Sequence, residues 1–179
     1  MTTFQLREIK EQDLPLILKW RNSERIKHSM YSNEIITWEQ HVSWFQRVLQ
    51  DTDREVFLFL QADTPLGLIQ FYDMDRQHER CYWGFYIGEE KAPKGAGTKM
   101  ARLAIHYIFQ KGFRKICAEV LETNMTSLRF HQKLDFQIEG TFQKHIKKND
   151  QLYDVIIMAL FNKNKKRKEE ANVRNMDRK

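Results

Sequence analysis

The sequence predicts a mixed α/β fold. Three observations carry that expectation. Seven segments alternate apolar and polar residues, or run apolar between turn residues, as strands do. Four other segments carry caps or a helical apolar stripe. A glycine-bearing loop joins a strand to a helix that leads to another strand, so one βαβ unit sits among antiparallel hairpins. At 179 residues and 21.7 kDa the chain is one ordinary domain, long enough to bury a core. The domain is expected over residues 1–162, with 163–179 a basic, disordered tail.

Each element has its own reason. Phe4-Gln5-Leu6-Arg7-Glu8-Ile9 alternates as a half-buried strand. Asp13 can cap a helix whose first turn tolerates Pro15 and which runs to Trp20. Thr37-Trp38-Glu39-Gln40 has the shape of a capping box, and Trp38, Val42, Phe45 and Val48 or Leu49 mark the inward face of the helix after it. Glu55 to Gln61, Leu66 to Tyr72 and Arg80 to Ile87 read as successive strands. Asp63-Thr64-Pro65 and the polar stretch Asp73 to Glu79 supply their turns. A helix from Thr98 to about Gln110 points Met100, Leu103, Ala104, Tyr107 and Ile108 inward. Phe113 to Leu121 is a strand and Thr126 to Leu134 a helix. Phe136 to Lys144 and Gln151 to Phe161 form a last strand pair about the turn Lys148-Asn149-Asp150.

Composition narrows the function. With 41% hydrophobic and 30% charged residues the chain is neither a disordered polymer nor a membrane protein. Its longest apolar run, Val155 to Phe161, is far too short to span a bilayer. Met1 to Lys10 lacks a basic-then-apolar leader pattern, so a soluble cytoplasmic protein is expected. Cys81 and Cys117 form no CxxC pair, which argues against a metal knuckle or a disulfide framework, and no metal is expected. The net charge of +6 invites a nucleic-acid reading. Residues 163–179 hold +5 of it, so the body is almost neutral and nucleic acid is not the expected partner.

Two segments carry chemistry. Tyr86-Ile87-Gly88 runs into Lys91-Ala92-Pro93-Lys94-Gly95-Ala96-Gly97-Thr98-Lys99. Backbone N–H groups at such a helix start are unpaired, and the helix dipole favours an anion there. The loop is not a Walker loop, because the GKS or GKT ending is missing, and Met100 stands where a GxGxxG motif needs its third glycine. The second segment is Cys117-Ala118-Glu119-Val120-Leu121-Glu122-Thr123-Asn124, then Met125 to Ser127, then a short helix ending Lys133-Leu134-Asp135-Phe136. Strand, Asn-x-x-Ser and Lys-Leu-x-Phe resemble the second half of the GNAT superfamily of N-acetyltransferases, with the glycine loop at the spacing that fold requires. The resemblance covers residues 4–161.

Within the superfamily the chain is similar to the N-acetyltransferases of pseudaminic acid biosynthesis. The similarity lies in Trp20-Arg21-Asn22, Met30-Tyr31-Ser32, the helix with His41 and Phe45, Tyr82-Trp83-Gly84-Phe85-Tyr86, and Glu119 to Asn124. It departs from the superfamily at Ala92, where Arg or Gln is usual, at His131, where Tyr is common, and at Asp135, where Gly is usual.

The resemblance implies a mostly antiparallel, twisted sheet of about seven strands with about four helices, splayed between the fourth and fifth strands. It implies acetyl-CoA as donor and direct transfer through a ternary complex to the 4-amino group of a UDP-linked 4-amino-4,6-dideoxy sugar. Backbone groups of Phe85, Tyr86 and Ile87 would pair with the pantetheine arm. The loop Lys94, Gly95, Ala96, Gly97, Thr98 and Lys99 would take the pyrophosphate, with Asn124, Ser127 and Phe130 also on the cofactor. Asn124 reads equally as a helix N-cap. His131 falls on the acid position, where an imidazolium can donate to the leaving thiolate. Glu119, a carboxylate inside an apolar strand, reads as a satisfied pair or as the general base, with Glu122 a weaker rival. Arg21 could grip a diphosphate. His41, Tyr72 and Tyr86 would line the acceptor pocket, with Met30 and Tyr31 nearby. Dimers are common in that fold.

Two other readings stand beside this one. Acetylation of a protein N-terminus or of a polyamine keeps the fold and changes the acceptor. A polyamine site should be lined by carboxylates, whereas the opening helices offer cations, aromatics and His41. A basic binding module carried by the tail would bind RNA in a salt-sensitive way.

Overall fold

The computed structural model describes residues 3–163. The basic tail lies outside the described residues except for Lys163, whose Nζ meets the Asp135 carboxylate at 3.1 Å.

The strands are β1 (Phe4–Glu8), β2 (Glu55–Gln61), β3 (Thr64–Asp75), β4 (Arg80–Ile87), β5 (Lys115–Leu121), β6 (Gln137–Lys148) and β7 (Gln151–Phe161). They form one seven-stranded sheet in the order β1-β2-β3-β4-β5-β7-β6. Every neighbouring pair is antiparallel except β4 and β5. That parallel pair is short: Arg80 faces Lys115, Cys81 faces Ile116 and Tyr82 faces Cys117. Beyond Tyr82 the two strands run on without pairing to each other, so the sheet opens between them among the described residues.

Among the described residues five α-helices cover the sheet: α1 (Leu14–Asn22), α2 (Glu24–Lys27), α3 (Trp38–Gln50), α4 (Ala96–Gln110) and α5 (Met125–Lys133). Helix α2 has no counterpart in the sequence reading, because a single turn cannot display a period. One apolar layer packs α4 through Ala96, Met100, Ala101, Ala104 and Ile108 against Phe57, Phe71, Trp83 and Ile116. The other packs Leu14, Ile17, Trp20 and Phe45 against Leu58, Leu60 and Leu68. Alternation along β4 sends Trp83 and Phe85 to the first layer and Tyr86 to the second. Both cysteines are buried and free, and burial pushes the Cys81 thiol up to about 12.

Several boundaries move. The turn before β3 is Ala62-Asp63, and Thr64-Pro65 already belong to the strand, where a register shift at Phe59/Leu60 accommodates them. Strand β3 continues to Asp75. Phe113 is buried but precedes β5, since Arg114 N–H goes to the Glu79 carbonyl instead of a ladder. Strand β6 extends to Lys148, and Asn149 (φ 51) with Asp150 (φ 57) make the left-handed pair that closes its hairpin with β7. Asp13 does not cap α1: its carboxylate takes both Arg7 guanidinium nitrogens, at 2.9 and 3.0 Å, and the Lys10 N–H at 2.7 Å.

Candidate active site

The opening between β4 and β5 divides the functional residues into two groups. On the α4 side the backbone of Phe85, Tyr86 and Ile87 lies beyond the last paired residue. Gly95 precedes α4 in a left-handed conformation (φ 85, ψ 2) that costs glycine little. A Cβ there would meet nothing within 4 Å, so the loop's outer side is open. Ala96 and Lys99 N–H groups go to the Pro93 and Gly95 carbonyls. Helix geometry leaves those of Gly97 and Thr98 without an intrahelical acceptor. Ile87 and the Phe130 ring flank Gly97, 3.7 and 3.8 Å from where its Cβ would stand. Lys94 is exposed, while the Lys99 ammonium turns to the Phe4 ring, 4.1 Å from its centroid.

The Asn124 side chain accepts the Ser127 N–H at 3.0 Å, so Asn124 is the N-cap of α5. It also lines a cleft of about 300 Å³ at the end of β5. The segment after α2 and the β6–β7 hairpin form the other walls, through His28, Asn33, Lys148 and Tyr153.

The registers place Tyr72 opposite Tyr82 and Tyr82 beside Cys117. Glu119, two residues on, therefore points to the same face. Tyr72 and Tyr82 stack with centroids 5.7 Å apart. The Tyr31 hydroxyl donates to Glu119 Oε2 at 2.9 Å. Burial, then the neighbouring Glu119 carboxylate, raises the Tyr31 and Tyr72 phenols well above their usual range, so both stay protonated. Met30 is half-buried, and its carbonyl accepts from the Lys148 ammonium at 2.8 Å.

Arg21 and Tyr86 lie near one another on this side. The Arg21 guanidinium keeps a buried Nη1 without a hydrogen-bond partner, and burial lowers its pKa. Burial raises that of Tyr86, and the Arg21 charge opposes the rise.

Two expectations need correction. His131 does not offer a proton to the opening. The Trp83 indole N–H donates to His131 Nε2 at 3.1 Å, and an indole can only donate. Nε2 is therefore unprotonated. Nδ1 carries the hydrogen and donates it to the Ser127 carbonyl at 2.8 Å. Trp83, Phe85, Phe130 and Phe136 surround the ring, which is only 3% exposed. Burial depresses its pKa, so the imidazole is neutral and both nitrogens are committed. His41 does not reach the acceptor side either. It is buried between α1 and α3, with Nε2 3.1 Å from the Leu14 carbonyl and its ring stacked on Trp44.

The sequence reading missed Lys148, Asn33, Trp83 and Arg25. Arg25 donates to the Ile87 and Gly88 carbonyls at 2.9 and 2.8 Å, from α2 to the end of β4. Nothing local marks it. Tyr82 was legible: period-two alternation puts it on the face of Gly84 and Tyr86.

This geometry agrees with what comparison finds. The family model for the acetyltransferase (GNAT) domain matches residues 3–137. The chain belongs to the GNAT acetyltransferase family: it is an N-acetyltransferase, and acetyl-CoA is its acetyl donor. Acetyltransferase PseH of Campylobacter jejuni is 28% identical over 132 residues, which are 73% of this chain and 81% of that protein. Spermidine N(1)-acetyltransferase of Escherichia coli K12 is 22% identical over 158 residues, 88% of this chain and 85% of that protein. The crystal structure of spermidine N-acetyltransferase from Vibrio cholerae with CoA and spermine superposes with a TM-score of 0.82 at 19% identity. It covers 88% of this chain and 95% of that one.

The residues present suit the donor. The strand edge at Phe85–Ile87 that β5 leaves without a partner strand matches a row of amides, and the open loop before α4 suits a diphosphate. Bound there, acetyl-CoA supplies an activated thioester.

Proposed function

We propose that the chain acetylates the 4-amino group of a UDP-linked 4-amino-4,6-dideoxy sugar, the step known from pseudaminic acid biosynthesis, which feeds flagellin glycosylation. The observation that carries this reading is the lining of the acceptor-side cleft. Carboxamides and hydroxyls (Asn33, Asn124, Asn149, Thr123, Tyr153) stand around the cation Lys148, and none of the residues lining it is a carboxylate. Arg21, whose buried Nη1 has no hydrogen-bond partner, adds a second cation whose charge is felt by Lys148. Hydroxyls and amides match a sugar and a uracil, and the two cations match a diphosphate. A polyamine is cationic and would find no counter-charge in that cleft. Glu122 and Asp154 are not among the residues that line it. The similarity to PseH supports the same acceptor.

In this reading Glu119 is the base. It takes the proton that the acceptor nitrogen sheds as it bonds to the acetyl carbon, from a carboxylate on the tyrosine-lined face. Backbone groups of Phe85 to Ile87 and the loop Lys94 to Lys99 hold the donor, with Asn124, Ser127 and Phe130 closing that side.

Thiol release from acetyl-CoA with the UDP-4-amino-4,6-dideoxy-altrosamine derivative, its epimer, spermidine and a peptide with a free N-terminus tests the reading. Turnover restricted to the sugar nucleotides is expected, with Arg21→Ala raising their KM and leaving that of acetyl-CoA alone. Turnover of spermidine or the peptide without the sugars would overturn the acceptor assignment.

A further inference from the structure

We propose that Tyr31 is a positioning residue for Glu119: the segment after α2 carries its hydroxyl across the opening and fixes which carboxylate oxygen meets the acceptor amine. The proposal rests on Glu119 as the base and goes beyond it to how that base is aimed.

Tyr31 is 37% exposed, so burial of its ring does not hold it in place. What holds it is a segment pinned at both ends. The Asn22 carboxamide donates to the Ile36 carbonyl at 2.8 Å and accepts the Ile36 N–H at 2.9 Å. At the near end the Lys148 ammonium, from the last residue of β6, donates to the carbonyls of His28 and Met30 at 2.9 and 2.8 Å. Between these anchors Tyr31 reaches Glu119, 88 residues away in sequence. The chain thus commits two side chains from distant elements to one segment, and that segment brings the Tyr31 hydroxyl to Glu119.

The contact has a chemical consequence. A carboxylate at the end of a Glu side chain turns freely about its last torsion. One charge-assisted hydrogen bond on Oε2 restrains that torsion and leaves Oε1 as the oxygen not engaged by Tyr31. The other titratable groups facing Glu119 are Tyr72, Tyr82 and Cys117. In the reaction the acceptor nitrogen bonds to the acetyl carbon while the carbon–sulfur bond breaks. The proton shed by nitrogen passes to Oε1, the sulfur electron pair takes a proton from solvent, and Glu119 returns its own to water. Tyr31 gains and loses nothing; it only aims the carboxylate.

A double-mutant cycle tests this. Tyr31→Phe, Glu119→Gln and the double variant are compared with the wild type, using whichever amine the wild type turns over. Tyr31→Phe keeps the ring and removes only the hydroxyl. Expected is a fall in kcat of about tenfold or more, the usual size for a lost hydrogen bond to a charged group. KM for acetyl-CoA should stay unchanged. In the Glu119→Gln background the same change should cost less than about twofold, because there is no carboxylate left to aim. Effects of the two substitutions that multiply would overturn the proposal. So would a Tyr31→Phe effect confined to acceptor KM, or a Glu119→Gln enzyme with full activity. Failure of the sugar nucleotide as substrate would overturn the acceptor assignment alone, since the cycle runs on any acetylated amine.

Discussion

An indole N–H has one use, and at Trp83 that use fixes the protonation of His131. The pair gives two predictions. His131→Gln keeps an acceptor for Trp83, so its kcat should stay within about tenfold of wild type, short of the hundredfold or greater loss that removing a general acid brings. Steady-state thiol release decides it. The second concerns stability. Burial depresses the pKa of His131, and of His41, below the ordinary histidine value. Above pH 6.5, the unfolded-state value, both are neutral whether the chain is folded or not. As pH falls through 6.5 the unfolded chain binds protons that the fold refuses, so stability drops. Melting between pH 7.5 and 5.5 should show a falling Tm, less steep in His131→Gln. The family resemblance implied an acid at His131, and its place on α5 was legible. Trp83 stands 48 residues away, and no local pattern joins the two. His41 misled for a similar reason, since its partner is a carbonyl on another helix.

At the scale of elements, whatever is written within four residues was readable. The Thr37–Gln40 capping box forms with both reciprocal bonds, and Asn124 caps α5. Asp13 looked like a cap by the same local logic, but the Arg7 guanidinium from β1 outbids the helix for it. Asp135, just past the end of α5, holds φ 67 while Phe136 N–H returns to the His131 carbonyl. That is the left-handed stop of a helix, tolerated by Asp and preferred by Gly. Asp135→Gly should therefore stabilise the protein by up to about 1 kcal/mol in denaturant titration. Gly88 is bound more tightly: a Cβ there would stand 2.0 Å from the Trp20 ring. Gly88→Ala should cost about 1–3 kcal/mol, with α1 pushed off the end of β4. The Lys148 anchor gives a kinetic counterpart. Lys148→Met removes two hydrogen bonds to the segment bearing Tyr31 and a cation of the cleft, so kcat should fall and the acceptor KM rise, each several-fold, measured against an unchanged KM for acetyl-CoA.

At the scale of the whole molecule the strand order follows the sequence closely, because alternation and hairpin turns are short-range signals. The opening between β4 and β5 was not legible from periodicity. It depends on where two strands distant in sequence cease to pair, and only the family resemblance implied it. A ligand that bridges both sides should stabilise the fold as a unit. With CoA at about a hundred times its Kd, linkage adds about 2.7 kcal/mol. For a chain of this length that is a rise in Tm of about 5–10 °C, readable by thermal shift.

The three residue pairs that join β4 to β5 have a mechanical meaning. They make the sheet two plates stitched along a short seam, with β1 to β4 on one plate and β5 to β7 on the other. Amide hydrogens of Trp83 to Ile87 should exchange more slowly when CoA fills the gap. CoA bound along the β4 edge would bridge the plates beyond that seam, and its departure would leave the three pairs to hold β4 to β5.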